Sequence, residues 1–271
     1  MINIWLYIFI HKKKTMTKIN FEQTPNINID CVISFGNGCR IAENLKKNNL
    51  RFFSTPFDWQ MNYSLETVFN LLKEHGKNFF KNYKLDSYYN EGTHLGLVDI
   101  DTKMVSLHDF SKYLPNKVNE ILFKYKHKRR FKRLHKILQD AQNICIVTVR
   151  SITTQEILSF IEKFSQLYTF KHLYFINIYD TENKEKDEEL IITNKDNVTI
   201  LEYYFNDEHP NGNNKQTNPD YWLGNIDYWN KILAKITLNK NFIKKHISYR
   251  MVIIKKFKNI IKKTIVFLHS I

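Results

Sequence analysis

Glycine is scarce in this chain: seven occur in 271 residues, well under the roughly 7% of average usage. Two of the seven flank Asn37 in Gly36-Asn37-Gly38. A chain so poor in glycine concentrates it where the backbone needs positive φ or approaches a ligand closely. Cysteine is scarce as well. Cys31, Cys39 and Cys145 are odd in number and lack metal-ligand spacing, so a disulfide framework or a zinc ribbon is not expected and a reducing, cytoplasmic compartment is. Long hydrophobic runs are missing. The apolar residues 2–10 are too few to span a bilayer. Lys12, Lys13 and Lys14 follow them rather than precede them, which is not the order of a signal peptide. Met16 is an alternative start for the native chain. No internal repeat or low-complexity linker is found.

What is present supports a folded core. A hydrophobic content of 43% over this length suits one large α/β domain or two small ones. The net charge of +14 is unevenly spread. Residues 240–271 hold nine Lys/Arg and no Asp or Glu, and removing those nine leaves +5. The excess sits at one end and the lysines form no recognisable motif, so a nucleic-acid partner is not expected. The tail alternates lysines with Ile, Val and Phe, as an interfacial helix attracted to anionic lipid does. Peripheral contact with the inner membrane surface through 240–271 is one expectation for it, and packing onto the core is the other.

Residues 31–35 are short and apolar, which reads as a buried strand, and Ile41, Ala42 and Leu45 fall on one face of the helix that follows. Cys39 stands at or beside the opening of that helix, where unpaired N–H groups and the macrodipole favour a thiolate, with Arg40 pushing the same way. Packing of Cys39 between strand and helix is the competing explanation. Asp58 lies between Phe57 and Trp59, after Pro56. A carboxylate among large rings must be paired or hydrogen-bonded, as a clamp on its own loop or as an active-site partner.

Residues 64–80 have helical spacing with Ser64 as cap. Residues 104–110 read as a strand ending in His108-Asp109, placed to face the C-terminal edge of the first strand. His94, in the aromatic stretch before it, is a second candidate base. Residues 124–136 form an amphipathic helix with a basic exterior, suited to phosphate or anionic glycan or simply solvated. From residue 143 the pattern alternates: strands at 144–149, 173–179 and 198–204, a helix at 153–167, an acidic turn at 182–189, an irregular loop at 206–220, and a last helix from 221 through Leu233 with Trp222 and Trp229 on one side. This predicts an α/β fold with a mostly parallel open sheet and helices on both faces, and a basic C-terminal helix. Arg150 lies just past a strand's C-terminal end, where ligands gather. The expected organisation is an extension at 1–28, a single α/β domain at 29–238 and a basic amphipathic tail at 239–271.

Three separated segments suggest a family. Phe35-Gly36-Asn37-Gly38-Cys39-Arg40-Ile41-Ala42, then Phe53-Ser54-Thr55-Pro56-Phe57-Asp58-Trp59, then His108-Asp109-Phe110, followed by the basic helix, resemble the bacterial putative papain-like cysteine peptidase family, a domain family of unproven function. The resemblance implies that Cys39 is the nucleophile and His108 its base, with Asp58 or Asp109 orienting the imidazole. The expected ligand-binding set is Gly36, Asn37, Gly38, Arg40, Ser54 and Arg150. An acyl-transfer enzyme is implied, either hydrolase or acyltransferase, acting on a small-molecule, peptide or glycan substrate. Coenzyme A thioester is the expected donor only for an acyltransferase, and no other cofactor and no metal is expected. Cysteine proteins of bacterial capsule and surface-glycan pathways look similar around this turn, which implies polysaccharide biosynthesis as a setting. Papain-like chains place the cysteine helix ahead of an antiparallel barrel, whereas this chain opens with a strand and continues as βαβ, closer to a flavodoxin-like or esterase-like sheet. The alternative is a non-catalytic module binding a glycan or nucleotide-linked ligand, in which Cys39 only packs.

Overall fold

Side chains alternate across a strand, so a strand buried on both sides feeds two separate cores. The structure, a computed structural model, describes residues 15–36, 38–181 and 189–247. In chain order it contains β1 (Thr15–Ile19), β2 (Ile27–Ile29), β3 (Cys31–Ser34), α1 (Arg40–Lys47), β4 (Gln60–Met61), α2 (Leu65–Lys73), β5 (Tyr83–Leu85), β6 (His94–Asp99), β7 (Val105–Ser111) and α3 (Asn116–Asp140). It continues through β8 (Asn143–Val149), α4 (Thr154–Ser165), β9 (His172–Asp180), β10 (Glu189–Lys195), β11 (Val198–Phe205), α5 (Ile226–Leu233) and β12 (Ile236–Leu238).

The main sheet has the order β1-β10-β11-β9-β8-β3. Its strands β3, β8, β9 and β11 run parallel. Along β8, Ile144 and Ile146 face one core, built by α2, α3 and α4, and Cys145 and Val147 face the other, built by α1 and α5. Helices therefore cover both faces, as the sequence predicts.

The sheet is mixed, however, not mostly parallel. Strand β10 returns antiparallel on β11 through a tight turn in which Asp196 has φ 54°, and β1 adds antiparallel to β10. The sequence reading skips β10 because the acidic residues before it obscure the alternation of Leu190 and Ile192. Before residue 29, β1 is paired in the main sheet and β2 is paired to β12, so residues 15–29 contribute strands to the described fold. It also continues past residue 238: residues 240–247 are helical, and Phe242 is buried against Phe52. The tail beyond residue 247 and the first fourteen residues, on which the membrane-tail and start-site expectations fall, lie outside the described residues. The last helix also starts later than expected. Gly224, at φ 73°, separates a short turn of 3-10 helix at Tyr221–Leu223 from α5, so Trp222 and Trp229 do not share one helix; only Trp229 is fully buried.

Between α1 and α3 the chain builds a four-stranded antiparallel sheet, β4-β7-β6-β5, with α2 placed in sequence between β4 and β5. This insertion separates β3 from its partner β8 in sequence and carries both candidate histidines. Helix α3 ties the two sheets together. Its residues Phe131, Leu134, Ile137 and Leu138 enter the core, and the Phe131 ring meets Phe57 and Phe79 at 5.7 and 5.3 Å. Gly76, at φ 74°, lies against that ring so closely that an added Cβ would fall 2.3 Å from it.

Truncating Phe131 to Ala should therefore cost about 3–5 kcal/mol, whereas Leu122→Ala on the outward side of the same helix should stay within about 0.5 kcal/mol of the parent. Denaturant unfolding of the two variants measures both, and equal effects would refute this assignment of the helix faces.

Candidate functional site

The turn after β3 is built from backbone constraints that only particular residues satisfy. At Gly36 an added Cβ would lie 1.9 Å from the Ile41 Cδ1, and Gly38 has φ 103°, a conformation that L side chains rarely adopt. The Gly38 N–H donates to the Gln60 carbonyl at 2.8 Å. Arg150, at the end of β8, donates from Nε and Nη2 to the Phe35 carbonyl at 3.2 and 3.0 Å, and from Nη1 to the Tyr63 carbonyl. The Tyr63 hydroxyl donates to the Gly36 carbonyl, and the guanidinium lies 4.9 Å from the centre of the Tyr63 ring. Asn37, assigned to the ligand set, lies outside the described residues.

Cys39 is the N-cap of α1, and the Glu43 N–H reaches back to its carbonyl at 3.1 Å. The thiol is half-buried, unlike Cys31 and Cys145, which are fully buried. Its Sγ lies 3.5 Å from Nε2 of His108. The spacing of 69 residues is closed by β4, which pairs with β7 while its Gln60 carbonyl holds Gly38.

Around His108 the Trp59 and His94 rings approach edge-on, each with centroids 5.9 Å away. The Glu91 Oε2 lies 4.0 Å from the same Nε2. Glu91 sits in the turn before β6, where its N–H and carbonyl both pair with His94. Burial lowers the His108 pKa below the ordinary imidazole value, with Glu91 acting against this. Burial pushes the Cys39 thiol up to about 12, and the Glu91 and Glu43 carboxylates add to it. The resting pair is therefore a thiol beside a neutral imidazole. Burial and two carboxylates thus oppose the accessible thiolate that the sequence leads one to expect at the helix terminus. Arg40 does not help, because it turns away to Asp207 at 2.6 Å and to the Trp222 carbonyl at 2.9 Å.

Several expected site residues hold the scaffold instead. Asp58 is the clamp on its own loop: its carboxylate accepts from the Thr55 N–H at 3.0 Å, the Thr55 hydroxyl at 2.6 Å and the Arg51 guanidinium. Adjacent strand residues point to opposite faces, so Asp109 faces away from the His108 ring. It accepts from Ser106, Lys126, His127 and Gln60. Burial pushes its carboxyl up, but His127 and Lys126 beside it hold it well below the usual carboxylate range. Ser54 is engaged through its backbone carbonyl, which accepts from Arg133 at 2.8 Å. Gly36, Arg40 and Arg150 likewise bind the protein itself.

Glu91 and Trp59 are the site residues that the sequence reading missed. Trp59 is visible in the sequence beside Asp58 and in the family segment, but with no role of its own. Glu91 carries no signal, since its relevance comes from pairing across the insertion. Among the described residues no group of three or more His, Cys, Asp and Glu is arranged to hold a metal ion.

A family model described as "Putative papain-like cysteine peptidase (DUF1796)" matches residues 30–200. That span begins just before β3 and runs into β11, taking in both Cys39 and His108. No curated protein and no solved structure matches the chain. With well over half of its length matched, including the strand, turn and histidine just described, the chain belongs to the putative papain-like cysteine peptidase family.

Proposed function

We propose that Cys39 and His108 perform acyl transfer through a thioester at Cys39, with the acyl group passing to water or to a hydroxyl acceptor. The observation that carries this reading is the 3.5 Å approach of Sγ to Nε2 across two separate sheets. As Sγ attacks a carbonyl carbon, its proton moves to Nε2, and the Glu91 carboxylate at 4.0 Å favours the imidazolium so formed. Nε2 then gives that proton to the leaving group as the tetrahedral intermediate collapses to the thioester. In the second half, water or an alcohol loses its proton to Nε2 and attacks the thioester, and Sγ departs and regains a proton.

The N–H groups of the first turn of α1 have no intrahelical acceptor by helix geometry, and they offer hydrogen bonds to the developing oxyanion beside Sγ. The thiol follows the first parallel strand, as a nucleophile does in esterase-like sheets. A surface-polysaccharide acceptor or a coenzyme A donor extends the reading and rests on the resemblance of the cysteine turn alone. The elevated thiol pKa favours the second reading, a binding module in which Cys39 only packs, and reactivity separates the two.

A thioester or activated-ester substrate should leave a covalent acyl adduct on Cys39, seen by intact mass spectrometry. Cys39→Ala should abolish adduct and turnover, and His108→Ala should lower turnover by about 10²–10⁴-fold. No adduct and no turnover in the parent would support the binding module, and turnover unchanged in Cys39→Ala would refute the role of the thiol.

The pH dependence follows from the two neutral groups. His108, with its lowered pKa, is an available base at neutral pH, so turnover should fall only as acid protonates it below the ordinary imidazole range. No alkaline fall should appear across pH 7–9, because the thiol ionises only near about 12. Glu91→Gln removes a carboxylate that raises the His108 pKa, so the acid limb should move to lower pH. A bell-shaped profile, the mark of a preformed thiolate–imidazolium pair, would contradict this electrostatic picture.

A further inference from the structure

The outward side of α3 changes character along its length. Phe123, His127, Phe131 and Leu134 recur at helical spacing on its buried side. Opposite them Val118, Ile121, Leu122 and Tyr125 stand at i, i+3, i+4 and i+7, all exposed, which places them in one stripe. Farther along that side Lys128, Arg129, Lys132 and Lys136 are exposed as well. Tyr113 and Leu114, just before the helix, lengthen the apolar end. Together with the stripe they make six of the eleven large exposed hydrophobic side chains among the described residues. A concentration of that kind marks an interaction surface, whereas single exposed residues do not.

Charge identifies the partner. The helix carries nine Lys/Arg, and its acidic residues, Glu120 and Asp140, are both engaged. Glu120 faces Lys124 at 3.7 Å and accepts from the Tyr83 hydroxyl. Asp140 is shared by Lys136 and Lys245, each at 3.4 Å, and by His246 at 3.5 Å. Residues 240–247 are thus joined to the basic end of α3, and the sequence that follows, 248–271, adds six more Lys/Arg and no acid. Like charge disfavours that segment as the occupant of the stripe.

We propose that this face of α3 docks the protein on an anionic lipid bilayer. Leu114, Val118, Ile121 and Leu122 enter the boundary between headgroups and acyl chains, Tyr113 and Tyr125 sit at headgroup level, and the lysines and Arg129 meet lipid phosphates. A bilayer supplies apolar and anionic character along the whole helix at once, whereas a protein partner would need an apolar pocket and an acidic strip in register. The basic segment joined at Asp140 provides the second signal that stable peripheral anchoring requires.

The test is flotation of the full-length protein with vesicles of phosphatidylcholine alone or mixed with phosphatidylglycerol. The parent should bind the mixed vesicles and not the neutral ones. Ile121→Ser with Leu122→Ser should lower the partition coefficient at least about tenfold. Lys128→Gln and Lys132→Gln should each lower it about fivefold, with the effect shrinking in high salt. All these side chains are exposed, so unchanged unfolding midpoints will show that the variants remain folded. Binding unaltered in the α3 variants would assign membrane contact to the tail alone and overturn the proposal. Absent vesicle binding, together with self-association that the same variants abolish in sedimentation velocity, would make this face a contact between copies and overturn it equally.

Discussion

The guanidinium of Arg150 is the interaction on which the rest of the site depends. It leaves the end of a central strand and directs its donors to two main-chain carbonyls, one at the end of β3 and one in the inserted segment. Charged donors to buried carbonyls make strong hydrogen bonds, and here they fasten the insertion to the sheet at the turn that carries the thiol. Tyr63 completes the clasp, stacking under the guanidinium while its hydroxyl holds Gly36. The two glycines are required because the turn packs against Ile41 on one side and adopts positive φ on the other. Scarce glycine and a conspicuous arginine thus serve geometry, and the proposed chemistry falls to the cysteine they position.

The electrostatics of that cysteine follow from the same tight packing. Burial disfavours charge on both Sγ and the imidazole, and the carboxylates nearby repel a thiolate. Glu91 acts on both groups at once, raising the proton affinity of thiol and imidazole together. In the proposed reaction such a pair rests neutral and separates charge only when a substrate carbonyl accepts electrons from sulfur. Burial and Glu91 weigh most on the imidazole, and the acidic residue adjacent to the histidine in sequence adds only a lesser share to its proton affinity. Asp109 is committed to Lys126 and His127, where it anchors β7 to α3, and it reaches Gln60, whose carbonyl holds Gly38. Its influence on the site passes through the scaffold as well as through its charge.

Helix α3 joins these features to the molecular surface. One side supports the strand of His108 and fills the core through Phe131 and Leu134. The other leaves an apolar and then a basic strip in solvent. Its basic character was plain in the sequence, but the helix proved longer than the charged run, and its first two turns, apolar and outward, were not anticipated. Hydrophobic periodicity cannot tell a stripe facing a core from one facing solvent, because both repeat at 3.6 residues.

By itself the sequence determined the local elements whose patterns are short-range: the β3 strand, the glycine turn, Cys39 at the start of a helix, the βα alternation from residue 143, and the His108 strand. The Cys–His pair was legible through the family resemblance, since the segments bearing it keep their order along the chain. Tertiary structure alone decided what each polar side chain faces. Asp58 and Arg150 became clamps, Asp109 turned to the opposite side of its strand, and Glu91 arrived beside His108. It also decided the mixed sheet, since β1 reaches its place only by pairing with β10, far along the chain. The physical reason is common to all of these. Propensity and periodicity act over a few residues, whereas burial, hydrogen-bond partnership and charge proximity are set by segments far apart in sequence that meet only in the folded chain.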